Sequence, residues 1–267
     1  MTPTYIHLES IRSTNTYLAQ NAEGAVHGTV VYADCQTAGR GQRGNSWESA
    51  DFKNITMSML LRPANVKPSC QFWLSEAVAL AVVHTLDHYI DNGVSIKWPN
   101  DIYWNDRKIC GILVEHSLSG GKIDHTIAGI GLNINQEKFL SDAPNPVSLR
   151  QIIGCDTPLP DVLHHLSEEL LRLADSLPDN AESLHAEFLN RLYRRNGLHT
   201  YRNVADRTAD HLAAGEEFCA EIADVAPDGI LTLARPDGSR PRFAFKEVEF
   251  VIGKISLHKY TLAQPTV

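Results

Sequence analysis

The sequence predicts an α+β fold: a mixed, largely antiparallel sheet with helices, followed by a small all-β unit. Three observations predict it. Between residues 95 and 135, short β-rich runs alternate with turn residues (Pro99-Asn100-Asp101, Asn105-Asp106, Ser119-Gly120-Gly121), the pattern of an antiparallel meander. Helical periodicity is confined to a few segments, at 71–90, 161–177 and 181–193. Beyond Gly197 the composition turns β-rich again, and two Asp-Gly turns (Asp228-Gly229 and Asp237-Gly238) between strands suggest a small barrel. A chain of 267 residues has room for one large unit and one small, and the expected division is 1–196 and 197–267.

In chain order, residues 5–8 form a short strand and Ser13 caps a helix that runs to Asn21, with Tyr17 and Leu18 inward. Residues 29–33 and 55–61 are strands rich in β-formers. Ser69 is placed to cap the helix 71–90, whose Leu74, Ala77, Val78, Leu80, Ala81, Val82 and Leu86 surround much of its circumference and mark it as core. His84 and His88 stand at i, i+4 on it, but without an H-E-x-x-H pattern or a third ligand candidate they predict no metal. In the strand 124–135, Gly129, Gly131, Asn133 and Asn135 share one face and Ala128, Ile130, Leu132 and Ile134 the other. The glycine face leaves room for a flat ligand close to the backbone. A short helix near 150 precedes the two later helices, which carry leucine stripes.

Composition narrows the function. Hydrophobic content of 43% and charged content of 21% are those of an ordinary globular protein. A net charge of −8 argues against a nucleic-acid surface, so the basic group Arg40, Arg43, Lys53, Lys97, Arg107 and Lys108 points to a small anionic ligand. Five scattered cysteines without a C-x-x-C pair, no secretory signal and no membrane-length apolar run together predict a cytoplasmic protein without a membrane partner.

The densest chemistry is Gly39-Arg40-Gly41-Gln42-Arg43-Gly44-Asn45-Ser46-Trp47. Glycines allow φ > 0 and close backbone approach, successive N–H groups can cradle an anion, and guanidinium groups add forked donors. The spacing also fits G-x-G-x-x-G, but residues 45–54 have no helical apolar stripe, so the loop joins two strands and the dinucleotide reading is rejected. Ser13, Thr14 and Asn15 form a polar helix start for which capping alone is sufficient explanation. Lys108 opens a nearly continuous apolar strand, and an ammonium at the edge of a core wants a fixed anionic partner.

Taken in order, Ser13-Thr14-Asn15, Gln36, the 39–47 loop, Lys97-Trp98-Pro99-Asn100-Asp101, Lys108-Ile109-Cys110-Gly111 and the Gly129 to Asn133 strand resemble the motifs of the biotin protein ligases, over most of residues 5–252. The resemblance implies a class II synthetase-like catalytic domain, a mixed sheet with helices on one side, and an SH3-like tail barrel. It identifies the form without an N-terminal helix-turn-helix, because the first strand begins near Tyr5. It implies two steps: biotin and Mg-ATP (so Mg2+ with the nucleotide) give biotinyl-5′-AMP, and a lysine of an apo biotin carboxyl carrier protein then takes the biotin. By the same resemblance Lys108, Arg40 and Asp101 are catalytic. Ser13, Thr14, Asn15, Gln36, Arg40, Gly41, Gln42, Lys108 and Gly111 meet biotin, and Arg40, Arg43, Trp47, Lys97, Asn100 and Asn133 meet the nucleotide. Gln42 departs from the pattern, standing where many members carry arginine. A lipoate ligase or transferase of the same superfold is the alternative.

Overall fold

The computed structural model describes residues 1–140, 145–204 and 212–252, apart from the side chain of Arg43. Seven strands form one sheet in the order β1-β2-β3-β7-β6-β5-β4. These are β1 (Thr4–Ile11), β2 (Thr29–Gln36), β3 (Ile55–Leu61), β4 (Val94–Lys97), β5 (Asp101–Trp104), β6 (Arg107–Ser119) and β7 (Lys122–Leu132). β1 runs parallel to β2, which the helix between them requires, and the other pairs are antiparallel. The predicted meander is β4 to β7. What the sequence did not reveal is that β7 crosses to pair with β3, Ser58 facing Gly129 and Thr56 facing Gly131.

Both faces of this sheet are covered. Val30 packs with α2 (Phe72–Asp87) in the main core, while its neighbour Val31 packs with Leu18 and Ala22 on the other side. Adjacent residues of a strand point to opposite faces, so α1 (Thr14–Asn21) lies opposite α2. This corrects the expectation of helices on one side only, and it explains why β3 is buried along its whole length. α2 is apolar nearly all round because α4 (Leu159–Asp175) and α5 (Ala181–Asn190) close over it. Ser69 does not cap it: residues 68–70 form a separate 3₁₀ turn, and the helix begins at Phe72 without a side-chain cap. The short helix near 150 is α3 (Leu149–Ile153), started by a Ser148–Gln151 capping box and stopped by Gly154 in the left-handed region. α5 ends before the sequence pattern does, because residues 191–193 leave the helix to pair with Ile96 and cover the edge of β4.

His84 ties three helices together. Its two ring nitrogens lie 2.6 Å from Glu169 of α4 and 2.6 Å from Glu187 of α5. Among the described residues no group of three His, Cys, Asp or Glu side chains is arranged to hold a metal, and no helix is long and apolar enough to cross a membrane.

A second antiparallel sheet has the order β11-β10-β9-β8-β12, from β8 (His199–Asn203), β9 (Glu217–Val225), β10 (Leu231–Ala234), β11 (Arg242–Phe243) and β12 (Val248–Phe250). Gly229 and Gly238 take φ of +89° and +86°, as the two Asp-Gly turns require. The 226–230 turn packs onto the first sheet's layer. The Phe72 N–H donates to Pro227 O at 3.1 Å and the Trp98 indole N–H to Gly229 O at 3.1 Å. The apolar core continues from α2 into this sheet through Phe218, Ile222 and Leu231.

Candidate active site

The sheet face shared with the start of α1 carries Thr56 and Ser58 on β3, Gly129 and Gly131 on β7, and Gly111 on β6. Where larger residues would have built a wall, a cleft of about 850 Å³ opens. Leu113, on the same face as Gly111, and the Trp47 indole give it an apolar lining, and Phe245 reaches it from the second sheet's segment; Met57, Ile112 and Ile130 border it with their backbone, their side chains pointing into the α2 core.

At one end the cleft is polar and fixed. Ser13 caps α1, accepting from the Thr16 N–H. Gln36 Oε1, at the end of β2, accepts from the Thr14 N–H at 2.9 Å and from the Thr14 hydroxyl at 3.2 Å. Ser58 has its hydroxyl 2.7 Å from Thr14 Oγ1 and 2.5 Å from Asn15 Oδ1. Asn15 Nδ2 donates to Leu113 O at 3.2 Å and to Glu115 at 2.9 Å. The helix start is therefore more than a cap. Ser58 escaped the sequence reading, although its signal was present: Thr56 and Ser58 alternate on one face of an otherwise apolar strand.

At the other end stand the charges. Lys108 Nζ lies 2.6 Å from Asp101 Oδ1, both side chains about four-fifths buried. That is the anionic partner expected for an ammonium at a core edge. The hairpin β5–β6 sets it, with an irregularity between Ile102 and Tyr103 that turns Lys108 toward Asp101 while Asp101 pairs with Gly111. Lys97 has its ammonium 5.2 Å from the Tyr103 ring centroid and 5.3 Å from that of Phe250, a cation-π arrangement. Burial pulls its pKa below the usual lysine value, with the nearby carboxylate of Asp101 opposing. Asn100 donates its side-chain amide to Ile112 O, so it serves the backbone of β6. Asn133 donates to Val147 O, while its Oδ1 is a buried acceptor without a partner.

The Gly/Arg loop folds over this floor as a miniature hairpin. Arg40 bridges to Ser46, Trp47 N–H donates to Gly39 O and Gly41 N–H to Asn45 O. Only Gly44 of the three glycines uses positive φ, at +88°; Gly39 is needed because a Cβ there would sit 2.6 Å from the Trp47 carbonyl oxygen. Residues 42–44 form a 3₁₀ turn that carries Gln42 and the backbone of Arg43. Trp47 lays its indole on Gly111 and Gly131, in the space their missing side chains leave, with Lys108 Nζ 5.7 Å from its ring centroid. The bare glycine face expected to receive a ligand thus holds Trp47, and its Gly129 position holds Asn15.

Of the sequence candidates, Ser13, Thr14, Asn15, Gln36, Arg40, Gly41, Gln42, Trp47, Lys97, Asn100, Asp101, Lys108, Gly111 and Asn133 all line the cleft. Lys53 and Arg107 of the basic group do not; Arg107 instead donates to Pro146 O. Arg40 is engaged by Glu115 at 2.7 Å, a residue that no motif singled out.

The cleft defines a class of site: a pocket in an α+β protein with a fixed amide and hydroxyl wall at one end and a lysine-carboxylate pair at the other. Comparison with known proteins gives the member. A model of the Biotin/lipoate A/B protein ligase family matches residues 7–133, and the chain belongs to that family. It is 36% identical to a biotin acetyl-CoA-carboxylase ligase of Mycobacterium tuberculosis over 233 residues, 83% of this chain and 79% of that one. It is 35% identical to the bifunctional ligase/repressor BirA of Bacillus subtilis over 164 residues, 60% of this chain but only 49% of that relative's length. The fold resembles that of the Aquifex aeolicus biotin protein ligase solved with biotin and ATP, at 22% identity, a TM-score of 0.73, and coverage of 93% of this chain and 99% of that one. The Leishmania major biotin protein ligase solved with biotinyl-5-AMP has the same fold at 22% identity, a TM-score of 0.62, and coverage of 91% and 100%.

Proposed function

We propose that the chain joins biotin to a protein lysine through biotinyl-5′-AMP. The observation that carries this reading is one cleft with two chemically different ends: the Thr14, Asn15, Gln36 and Ser58 network, and the Lys108–Asp101 pair. A ureido ring has donors and acceptors that are costly to bury unpaired, and the first end offers both kinds of group. The Leu113 side chain and the Trp47 indole suit a thiophane ring and an aliphatic tail.

In the first step a biotin carboxylate oxygen bonds to the α-phosphorus of Mg-ATP, and the bond to pyrophosphate breaks. In the second, the lysine amine of an apo biotin carboxyl carrier domain attacks the acyl carbon and AMP leaves. Lys108 places fixed positive charge where oxyanion charge grows in both steps, and Asp101 holds that ammonium in place. The unpartnered Asn133 Oδ1 suits an exocyclic amine of the nucleotide base. Lys97 and Arg43 are proposed for phosphate, although Arg43 has no described side chain. Trp47 covers the glycine floor, so ligand entry shifts the loop that carries it, and reclosure shields the mixed anhydride from water. We assign the 197–267 segment as a separate domain because its described strands pair only with one another, in a sheet of their own, and the cytoplasm as the compartment on the strength of the chain's unpaired cysteines.

The test is pyrophosphate release with biotin or lipoate, followed by transfer of labelled biotin to an apo carrier domain. Biotin-dependent release and lysine labelling are expected. Lipoate-dependent release would replace this reading with the lipoate one.

A further inference from the structure

Glu115 lies on β6 just beyond the cleft wall, and its carboxylate joins two parts of that wall. Oε1 accepts from Arg40 Nη2 at 2.7 Å, while Oε2 accepts from Arg40 Nη1 at 3.4 Å and from Asn15 Nδ2 at 2.9 Å. Asn15 is 4% exposed, so the orientation of its amide matters. Nδ2 faces two groups that can only accept, Leu113 O and the Glu115 carboxylate, and Oδ1 faces the Ser58 hydroxyl. One orientation satisfies all three. Arg40 meanwhile has its charge matched by Glu115.

We propose that Glu115 is a positioning residue that clamps the 39–47 loop, through Arg40, to the Asn15 wall of the cleft. This rests on the ligase reading above. Arg40 then acts by holding the loop rather than by neutralising phosphate. Glu115 is absent from the cleft lining and lies seven residues along β6 from Lys108, so the clamp governs ligand binding and leaves the chemical step alone.

Two variants grade the effect. Glu115→Gln keeps the volume and an acceptor for Asn15 but loses the charge; Glu115→Ala loses both. A half-exposed ion pair contributes little and a hydrogen bond to a charged group more. The biotin KM should therefore rise about two- to fivefold in Gln and about tenfold or more in Ala, with kcat within about twofold of wild type. A second readout needs no ligand: tryptic cleavage of the Arg43–Gly44 bond, followed by mass spectrometry. It should be several-fold faster in Glu115→Ala and in Arg40→Ala, and no faster in the double variant than in either single one.

Unchanged or additive cleavage rates would overturn the clamp, as would a fall in kcat at unchanged KM. If wild type makes no adenylate from biotin, the ligase reading fails instead, and the cleavage rates still decide whether Glu115 holds the loop.

Discussion

Lys108 is the residue on which the proposed chemistry turns. Its ammonium is held by one carboxylate at 2.6 Å, at the edge of a strand whose next residues, Ile109 and Cys110, are fully buried. Burial pushes the Cys110 thiol well above its ordinary pKa, so this cysteine offers no nucleophile beside the lysine. A preorganised cation in such a place is already oriented when charge develops on the reacting oxygens. Lys108→Ala should therefore lower both adenylate formation and transfer by about 10² to 10³ while leaving biotin affinity within about tenfold. Single-turnover rates for the two steps check this. Near-normal rates in both would remove Lys108 from the mechanism.

At the scale of the element, the loop 39–47 and the strands beneath it are built for each other. A Cβ at Gly131 would fall inside the Trp47 indole, and one at Gly111 would lie 2.8 Å from its Cζ3. The indole is rigid, so it cannot give way as a flexible side chain would. Gly131→Ala should expel Trp47 from the floor, exposing the ring and opening the loop without disturbing β7, whose neighbours Ile130 and Leu132 face the core. The expected sign is a red shift of tryptophan emission in Gly131→Ala that is absent when the same change is made in Trp47→Phe. An unshifted spectrum would mean that Trp47 does not rest on this glycine.

Across the whole molecule, charged side chains pin the helical layer together. His84 joins α2 to Glu169 and Glu187. His185 of α5 joins the fully buried Glu76 of α2, at 2.9 Å, to Asp224 of β9 at 3.3 Å. Burial opposes the charge on His84, but the two carboxylates outweigh it and its pKa is raised. Glu169, with Arg172 its main partner and His84 a lesser one, is pulled down to about 2. A raised histidine pKa adds stability in full below the unfolded value of 6.5, and the gain fades as pH rises through the folded value. Glu169 stays ionised on the acid side of that window until pH falls toward about 2. His84→Gln should thus lose about 1–2 kcal/mol near pH 5.5 and less near about pH 9. Thermal unfolding of both proteins at the two pH values measures it, and a pH-independent difference would show that packing, not charge, is what His84 supplies.

The sequence by itself determined the element types, since period-2 and period-3.6 patterns report local burial. It determined the Asp-Gly turns at 228–229 and 237–238, the Ser13 cap and the members of the polar and basic motifs, because each depends on near neighbours. It also marked Lys108 as a lysine that would need an anion, and Asp101, only seven residues away across a hairpin, is that anion. Only the tertiary structure decided what spans the sheet. The crossing of β7 to β3 places Ser58 beside Gly129, and no local signal can specify a partner 71 residues away. The placement of α1 opposite α2 depends on which of two apolar neighbours, Val30 or Val31, finds which helix. Trp47 read as a loop residue and became the cover of the glycine floor, because the space left by Gly111 and Gly131 exists only once two strands lie side by side. Glu115 reads as one charged residue near the end of a strand, and it gains a partner in Arg40 only when the loop after β2 folds back over β6.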